Sequence, residues 1–319
     1  MATMRRRALL TTLIGGAAFA RSARAATSLP AGPVRLIVAY PQGGISDLVT
    51  RMLAEHLALQ IGWPVRVENL AGAGGSIALH ALARSEPDGR TLVFSAITPL
   101  AFEPSLARFG EPQGITPLAS VMLTPSLLVG TPAFQGHRFD DLLALARENP
   151  GSLRWATSGI ATTGHLVLEQ ICRSFDIVVT HVPYKGGGQQ LNDALGGQFE
   201  LLATNVGPTQ LPYVRAGRFK PLAVGAPSRL GVLPDVPTLA ELGCPNGNLA
   251  SLFGLFAQGS TPPAMLRGLN DAVNQALRQA AVGAMLIASG NLPTGGSVQD
   301  FNREIARATE GIGRLLKHD

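Results

Sequence analysis

Residues 34–47 read VRLIVAYPQGGISD, and this stretch decides the fold. Val34 to Tyr40 is a short, apolar, β-branched run that stops at Pro41-Gln42-Gly43-Gly44. Such a run, bounded by turn residues, reads as a buried strand. From Ser46 to Gln60 the period changes to that of a helix. Leu48, Met52, Leu53 and Leu57 fall on one face, while Asp47, Arg51 and Glu55 occupy much of the rest. Strand, Gly-rich turn and amphipathic helix make the opening of a βαβ unit, whose next strand runs parallel to the first.

The same grammar continues outward from this stretch. Val65 to Asn69 reads as a strand ending in Ala71-Gly72-Ala73-Gly74-Gly75, followed by a helix over Ser76 to Arg84. Thr91 to Ala96 is a third strand, introduced by the turn Pro87-Asp88-Gly89. Further on, Leu153–Thr157, Ile177–Val182, Phe199–Thr204 and Leu222–Gly225 read as strands, with helices over Thr163–Arg173 and Gln189–Leu195. The C-terminus carries two helical patterns, Pro263–Ser289 and Val298–Lys317. Alternation of this kind predicts an α/β fold with a largely parallel sheet. Val121–Val129 and Leu252–Ala257 are apolar and extended, and each is expected to cross between two lobes. The first lobe is then residues 26–125 with 250–319, and the second is 126–249.

The N-terminus speaks to compartment and charge. Arg5, Arg6 and Arg7 precede an apolar run from Ala8 to Ala20, and Ala23-Arg24-Ala25 has the form of a signal-peptidase site. An exported, periplasmic protein cleaved after Ala25 is expected, by the general or the twin-Arg route. The run is too short for a transmembrane helix. Five of the 26 basic residues lie in the first 25, which hold no acid, so the remaining chain balances 21 bases against 21 acids. The basic footprint of a nucleic-acid binder is therefore absent from the expected mature chain. Cys172 and Cys244 are the two cysteines, and the sequence leaves open whether they bond. Neither has a second thiol or a His at metal-ligand spacing, so no metal and no cofactor are expected.

Two turns carry chemistry. Pro41–Asp47 lies between strand and helix, where glycines admit a ligand close to the backbone and the first N–H groups of the helix have no intrahelical partner. An anion site is one reading of it; a plain β–α turn capped by Ser46 or Asp47 is the other. Ala71–Ser76 has the same form, but Ile77 stands where a dinucleotide fingerprint needs its third Gly. Gly74-Gly75-Ser76-Ile77-Ala78 is one residue from a nucleophile elbow, with Ala78 in place of Gly. The His residues are scattered and no acid–His pair follows in hydrolase order, so an exported hydrolase is the weaker alternative and no catalytic residue is expected.

Five motifs occur in order: PQGGISD at 41–47, VENLAGAGG at 67–75, EPDGRTL at 86–92, HVPYKGGG with LGGQFELL at 181–202, and LPDVPTLAELG at 233–243. In this the chain resembles the Bug/TctC family, the extracytoplasmic solute receptors of tripartite tricarboxylate transporters. The resemblance implies a two-lobed periplasmic-binding-protein fold that closes on a small carboxylate in the cleft between lobes. It also implies a monomer whose partners are membrane permease subunits or, alternatively, a sensor receptor. Carried over by motif, the first-lobe wall is Tyr40, Pro41, Gly43, Gly44, Ser46 and Asp47, with Asn69, Ala73, Ser95 and Ala96. The second lobe contributes Ser158, Thr163, Gly164 and His165 from SGIATTGHL, and Tyr184, Lys185 and Gly186 from the YKG motif. Lys185 as a surface ion pair and His165 as a packing or capping residue stay open beside these roles. TNVGPTQLP at 204–212 departs from the family pattern, placing Asn205 where relatives have Asp. A neutral amide suits a second carboxylate better than an ammonium, so a non-amino acid is expected, either a di- or tricarboxylate or an aromatic acid.

Overall fold

The computed structural model describes residues 29–102, 111, 114–160, 162–185 and 187–317. The leader expected over residues 1–25 and Gly186 lie outside the described residues. In chain order, β1 (Val34–Val38), α1 (Ile45–Ile61), β2 (Val65–Asn69), α2 (Ser76–Ala83), β3 (Thr91–Ala96) and α3 (Thr98–Phe102) come first. The long strand β4 (Ile115–Gly130) leads to α4 (Phe139–Glu148), β5 (Arg154–Thr157), α5 (Thr163–Phe175), β6 (Thr180–Pro183), α6 (Gly187–Leu195), β7 (Leu201–Asn205), α7 (Leu211–Arg215) and β8 (Lys220–Gly225). Then β9 (Ala250–Gln258), α8 (Pro263–Leu277), α9 (Ala280–Ala288), β10 (Leu292–Pro293) and α10 (Val298–Lys317) complete the order.

The strands make a curled sheet with the order β2-β1-β3-β9-β4-β7-β5-β6. Pairing is parallel where βαβ units were expected: β1 with β2 and β3, and β5 with β6 and β7. The two long strands break that rule. β9 runs antiparallel to β3 and to β4. β4 pairs with β9 from Ile115 to Pro125, then changes partners at Ser126 and runs antiparallel to β7 and β8 up to Gly130. A sixteen-residue strand buried almost throughout is thus shared by both halves of the molecule. Pro117 falls at a register shift of the β4–β9 ladder, where its missing N–H costs no hydrogen bond.

Helices cover both faces of each half, which explains the continuous apolar runs in the strands. In the first half, α1, α8 and α9 pack on one face through Val49, Leu53, Leu57, Leu269, Val273 and Leu286. Leu79 and Leu82 of α2 and Phe301 and Ile305 of α10 cover the other. In the second half, α4 and α5 bury Phe139, Leu142, Val167 and Ile171 around Trp155, and Phe199 and Phe219 anchor the opposite face. A fully buried Leu, Ile or Phe stabilises by about 1.5–3 kcal/mol, so these stripes rather than helix propensity hold the layers.

Several expectations shift in detail. The core stripe of α1 is Ile45, Val49, Leu53, Leu57 and Ile61, whereas Leu48 is 39% exposed. The helix is turned by about one residue from the face read in the sequence, because its contact with the sheet decides which stripe is buried. The single helix expected over 263–289 is two, since Gln279 adopts extended backbone between α8 and α9. Both pieces bury residues in one core, which kept the apolar period running across the break. Helix α4 is missing from the elements expected above, although Phe139, Leu142, Leu143 and Ala146 recur at helical spacing; Asp141 caps it by accepting the N–H groups of His137 and Arg138 at 2.7 and 2.9 Å. Cys172 and Cys244 are both free thiols, and burial pushes the Cys172 thiol up to about 11. Among the described residues no helix is long and apolar enough to cross a membrane.

Candidate functional site

The C-terminal ends of β1, β3, β5 and β7 open onto one cavity of about 400 Å³. On the first-half side the wall is built by the loop after β1. Tyr40 closes its base: the phenol donates to Gly74 O at 3.3 Å and accepts from Ala96 N–H at 3.0 Å, and its ring meets Phe253 edge-on. Burial pushes this phenol above its ordinary range, so it stays a neutral strut. Gly44 leads into α1 in extended backbone with no side chain capping the helix. The first amides of α1 are therefore left for whatever occupies the cavity.

Asp47 has a different task from capping. Its carboxylate accepts Gly43 N–H at 3.1 Å, Arg51 Nε at 3.1 Å and Asn69 Nδ2 at 3.0 Å. Asn69 spends its other amide hydrogen on Tyr40 O at 2.9 Å. The three side chains brace the 40–44 loop from behind, and neither Asp47 nor Asn69 lines the cavity. Burial alone would raise the Asp47 pKa, but the bonds from Arg51, Gly43 and Asn69 outweigh it and hold the carboxyl below its ordinary value.

The second Gly-rich turn supplies a neighbouring wall. Gly72, Ala73, Gly74 and Gly75 all have positive φ, from 46° at Ala73 to 141° at Gly72. Only glycine fits at Gly75, where a Cβ would stand 2.8 Å from Ser95 Oγ. This contorted turn delivers the start of α2, again with no side-chain cap. Ala73 and Ser95 shape the turn but do not reach the cavity, and Gly43 also stays off its surface.

From the second half, the loop after β5 presents Ser158 and the start of α5, whose N-cap Thr162 turns its hydroxyl to Gly159 O (2.7 Å) instead of to the helix. Thr163 is hydrogen-bonded to Ser251 at 2.8 Å, and Gly164 lets α5 approach β7 so closely that a Cβ would meet Ala203 at 3.2 Å. The turn after β6 adds Lys185 and leads into α6 through Gly187 and Gly188. Asn205, at the end of β7, accepts from Ser251 through Oδ1 at 3.1 Å, leaving its NH2 with donors to spare. Two residues named in the sequence are elsewhere. His165 stacks on His181 with ring centroids 4.6 Å apart, and Tyr184 donates to Asp193 at 2.7 Å. That bond and burial push the Tyr184 phenol up to about 12, burial being the larger cause.

The cavity therefore gathers Tyr40, Pro41, Gly44, Ser46, Ala96, Ser158, Thr163, Gly164, Lys185 and Asn205 out of the residues singled out beforehand. It adds Gln42, Thr98, Gln190, Thr204, Thr209, Gln210, Ser251 and Phe253, which the sequence did not mark. Thr209 and Gln210 sit in the TNVGPTQLP stretch that was read for Asn205 alone. Ser251 and Phe253 belong to a crossing strand whose apolar run hid their role. Among the described residues Lys185 is the one charged side chain on the wall. No three described His, Cys, Asp or Glu side chains gather as a metal would require.

Two α/β halves joined by long shared strands, with uncapped helix starts facing a cavity between them, define a periplasmic solute-binding protein fold. The comparisons specify the kind. A family profile, Tripartite tricarboxylate transporter family receptor (TctC), matches residues 49–319. The chain belongs to that family. It is 34% identical to Protein BugT of Bordetella pertussis over 303 residues, which cover 92% of this chain and 93% of BugT. Among solved structures it is similar to R. palustris Rpa4515 with adipate, with a TM-score of 0.81 at 30% identity, covering 90% of this chain and 97% of that one. It is also similar to MatC from Rhodopseudomonas palustris with bound malate, with a TM-score of 0.78 at 28% identity, covering 89% and 100%. The chain is thus a Bug/TctC-type solute-binding receptor, and the relatives it matches are binding receptors rather than enzymes.

Proposed function

We propose that the cavity holds a small non-amino carboxylate, a di- or tricarboxylate or an aromatic acid, and releases it unchanged. One observation carries this reading: the starts of α1, α2, α5 and α6 all border one cavity, and no side chain caps α1, α2 or α5. Backbone N–H groups and helix dipoles pointing inward favour an anion without a wall of cations. Lys185 supplies a charge for a second anionic group, and neutral Asn205 offers no counter-charge to an ammonium. The adipate and malate held by the two similar R. palustris proteins are acids of this kind. Catalysis has little to build on, since Ser76 of the near-elbow is buried at the start of α2.

In the same reading the lobes divide at 125/126 and 249/250, where β4 changes partners and the β4–β9 ladder ends at Pro125 and Ala250. They close on the ligand, because the wall comes from both halves and is complete only when they meet. The protein works as a monomer in the periplasm after removal of residues 1–25, and hands its ligand to the membrane permease of a tripartite transporter. The test is a thermal-shift panel on protein lacking residues 1–25, with malate, adipate, citrate, benzoate and glutamate, followed by calorimetry on the hits. A binder stabilises by mass action. Stabilisation by one of the first four acids is the expected result; micromolar binding of glutamate with none of the others overturns the ligand class.

A further inference from the structure

The stacked imidazoles of His165 and His181 stand behind the second-half wall and have no part in the site described so far. His181 lies on β6, and its Nε2 is 2.8 Å from Thr157 Oγ1 at the end of β5. Thr157 in turn donates to Gly159 O at 3.1 Å and accepts Gly159 N–H at 3.3 Å. Gly159 O also receives the Thr162 hydroxyl. With φ of 146°, and with a Cβ position only 3.2 Å from Tyr184 O, the course of the chain at 159 admits glycine alone. One hydroxyl thus ties both backbone groups of Gly159, and one imidazole holds that hydroxyl. The residues so fixed are the neighbours of Ser158, Thr163 and Gly164 on the cavity wall.

We propose that His181, stacked on His165, is a positioning residue for the ligand: through Thr157 it sets the loop that presents Ser158 and the start of α5, and it does so only while the pair is uncharged. The inference rests on the carboxylate reading of the cavity for its binding consequence, but its structural content stands apart from any ligand. The surroundings favour neutrality. On α5, Glu169 stands 3.6 Å from His165, and Cys172 lies nearby with a thiol that burial keeps protonated. On β5, Arg154 is locked to Glu200 at 2.6 Å, and beyond β6 the Lys185 side chain is on the cavity wall. Glu169 touches His165 rather than His181. Burial, and then the neighbouring His165, push the His181 pKa down to about 4; burial also lowers that of His165 against the pull of Glu169. Two charged rings at 4.6 Å would repel, and the loop would open to let them reach water.

The sign follows directly. When the loop opens, His181 recovers the ordinary value of 6.5; when closed it holds about 4, so the open form gains protons first as pH falls. Loop order is complete above pH 6.5 and is lost progressively down to about 4. Amide hydrogen exchange of ligand-free protein reads this at Gly159, whose N–H Thr157 accepts, and at Leu166, whose N–H closes the first turn of α5 on Thr162 O. Protection, corrected for intrinsic rates, should fall about tenfold across that window, less than the ideal linkage limit because the rings are part-exposed.

The variants separate positioning from mere packing. His181→Ala and the near-isosteric Thr157→Val should raise exchange of these amides about tenfold at pH 7.5 and weaken binding of malate or adipate about fivefold. His181→Gln keeps an N–H donor without a titrating group, so it should restore protection at pH 7.5 and flatten the pH profile. Comparing variant to wild type at each pH cancels the titration of the acid itself. Unchanged loop protection in His181→Ala, or a His181→Gln profile as steep as wild type, overturns the proposal. Should the wild type bind neither acid, the carboxylate reading falls, while the exchange profile still decides the role of His181.

Discussion

Ser251 on β9 and Thr163 in the first turn of α5 are joined by a 2.8 Å hydrogen bond, although 88 residues separate them. The strand that returns the chain to the first half thus holds the helix start that forms the second-half wall. Asn205 Oδ1 lies against the same hydroxyl at 3.1 Å. Ser251→Ala should leave both partners short of a hydrogen bond in a buried place. The expected cost is about 1–2 kcal/mol, seen as a tenfold weaker Kd by calorimetry, with a small change in Tm.

Lys185 should act through its charge. Lys185→Met keeps the stem and removes the ammonium, so the affinity for a dianionic acid should fall about tenfold. The salt dependence of Kd should flatten with it, because screening acts on the lost pair. Titrations in low and high sodium chloride check both; a variant with an unchanged Kd removes Lys185 from the site.

Asn205→Asp should reverse preference. A carboxylate at the end of β7 repels a second ligand carboxylate, which should raise the Kd for malate or adipate at least about tenfold. The same change offers a partner to an ammonium, so glutamate or aspartate should gain. A competition assay across the two classes of acid reads the switch.

Asp47 braces the 40–44 loop from behind the cavity, so its replacement should act first on stability. Its side chain is 6% exposed and accepts from Gly43, Arg51 and Asn69. Asp47→Ala should cost about 2–3 kcal/mol in urea unfolding and weaken binding by loosening the 40–44 loop. Its folded pKa lies below its unfolded value of 3.8, so its contribution is complete above that value. It is lost as pH falls through the folded value. Wild type should therefore lose more stability than Asp47→Asn between pH 5 and pH 2.

The parallel units were legible because their signals are local. Val34–Val38, Val65–Asn69 and Thr91–Ala96 are short apolar runs closed by Gly or Pro, and the helices between them carry a 3.6-residue period. The Gly-rich turns that open helices α1 and α2 were legible for the same reason, since a turn between strand and helix needs no distant partner. Local period misled where contact with the sheet decides: it put Leu48 on the core face of α1 and ran α8 into α9. The same period runs through α4, at Phe139, Leu142, Leu143 and Ala146, and marks a helix missing from the elements expected.

What the chain's own order of residues determined, then, was the α/β alternation, the family and the Gly-rich turns that open helices at the cavity. The tertiary structure alone decided which side chains face the cavity. Asp47 and Asn69 sit in the binding motifs yet turn away to brace a loop, and Tyr184 turns to Asp193. Ser251 and Phe253, at a strand read only as a crossing, reach the cavity because β4 and β9 carry the chain between halves. The reason is geometric: a motif fixes the course of the backbone over a few residues, but the direction of a side chain depends on partners that arrive from far along the chain. Ser251 and Thr163 meet only once the two halves are folded against each other.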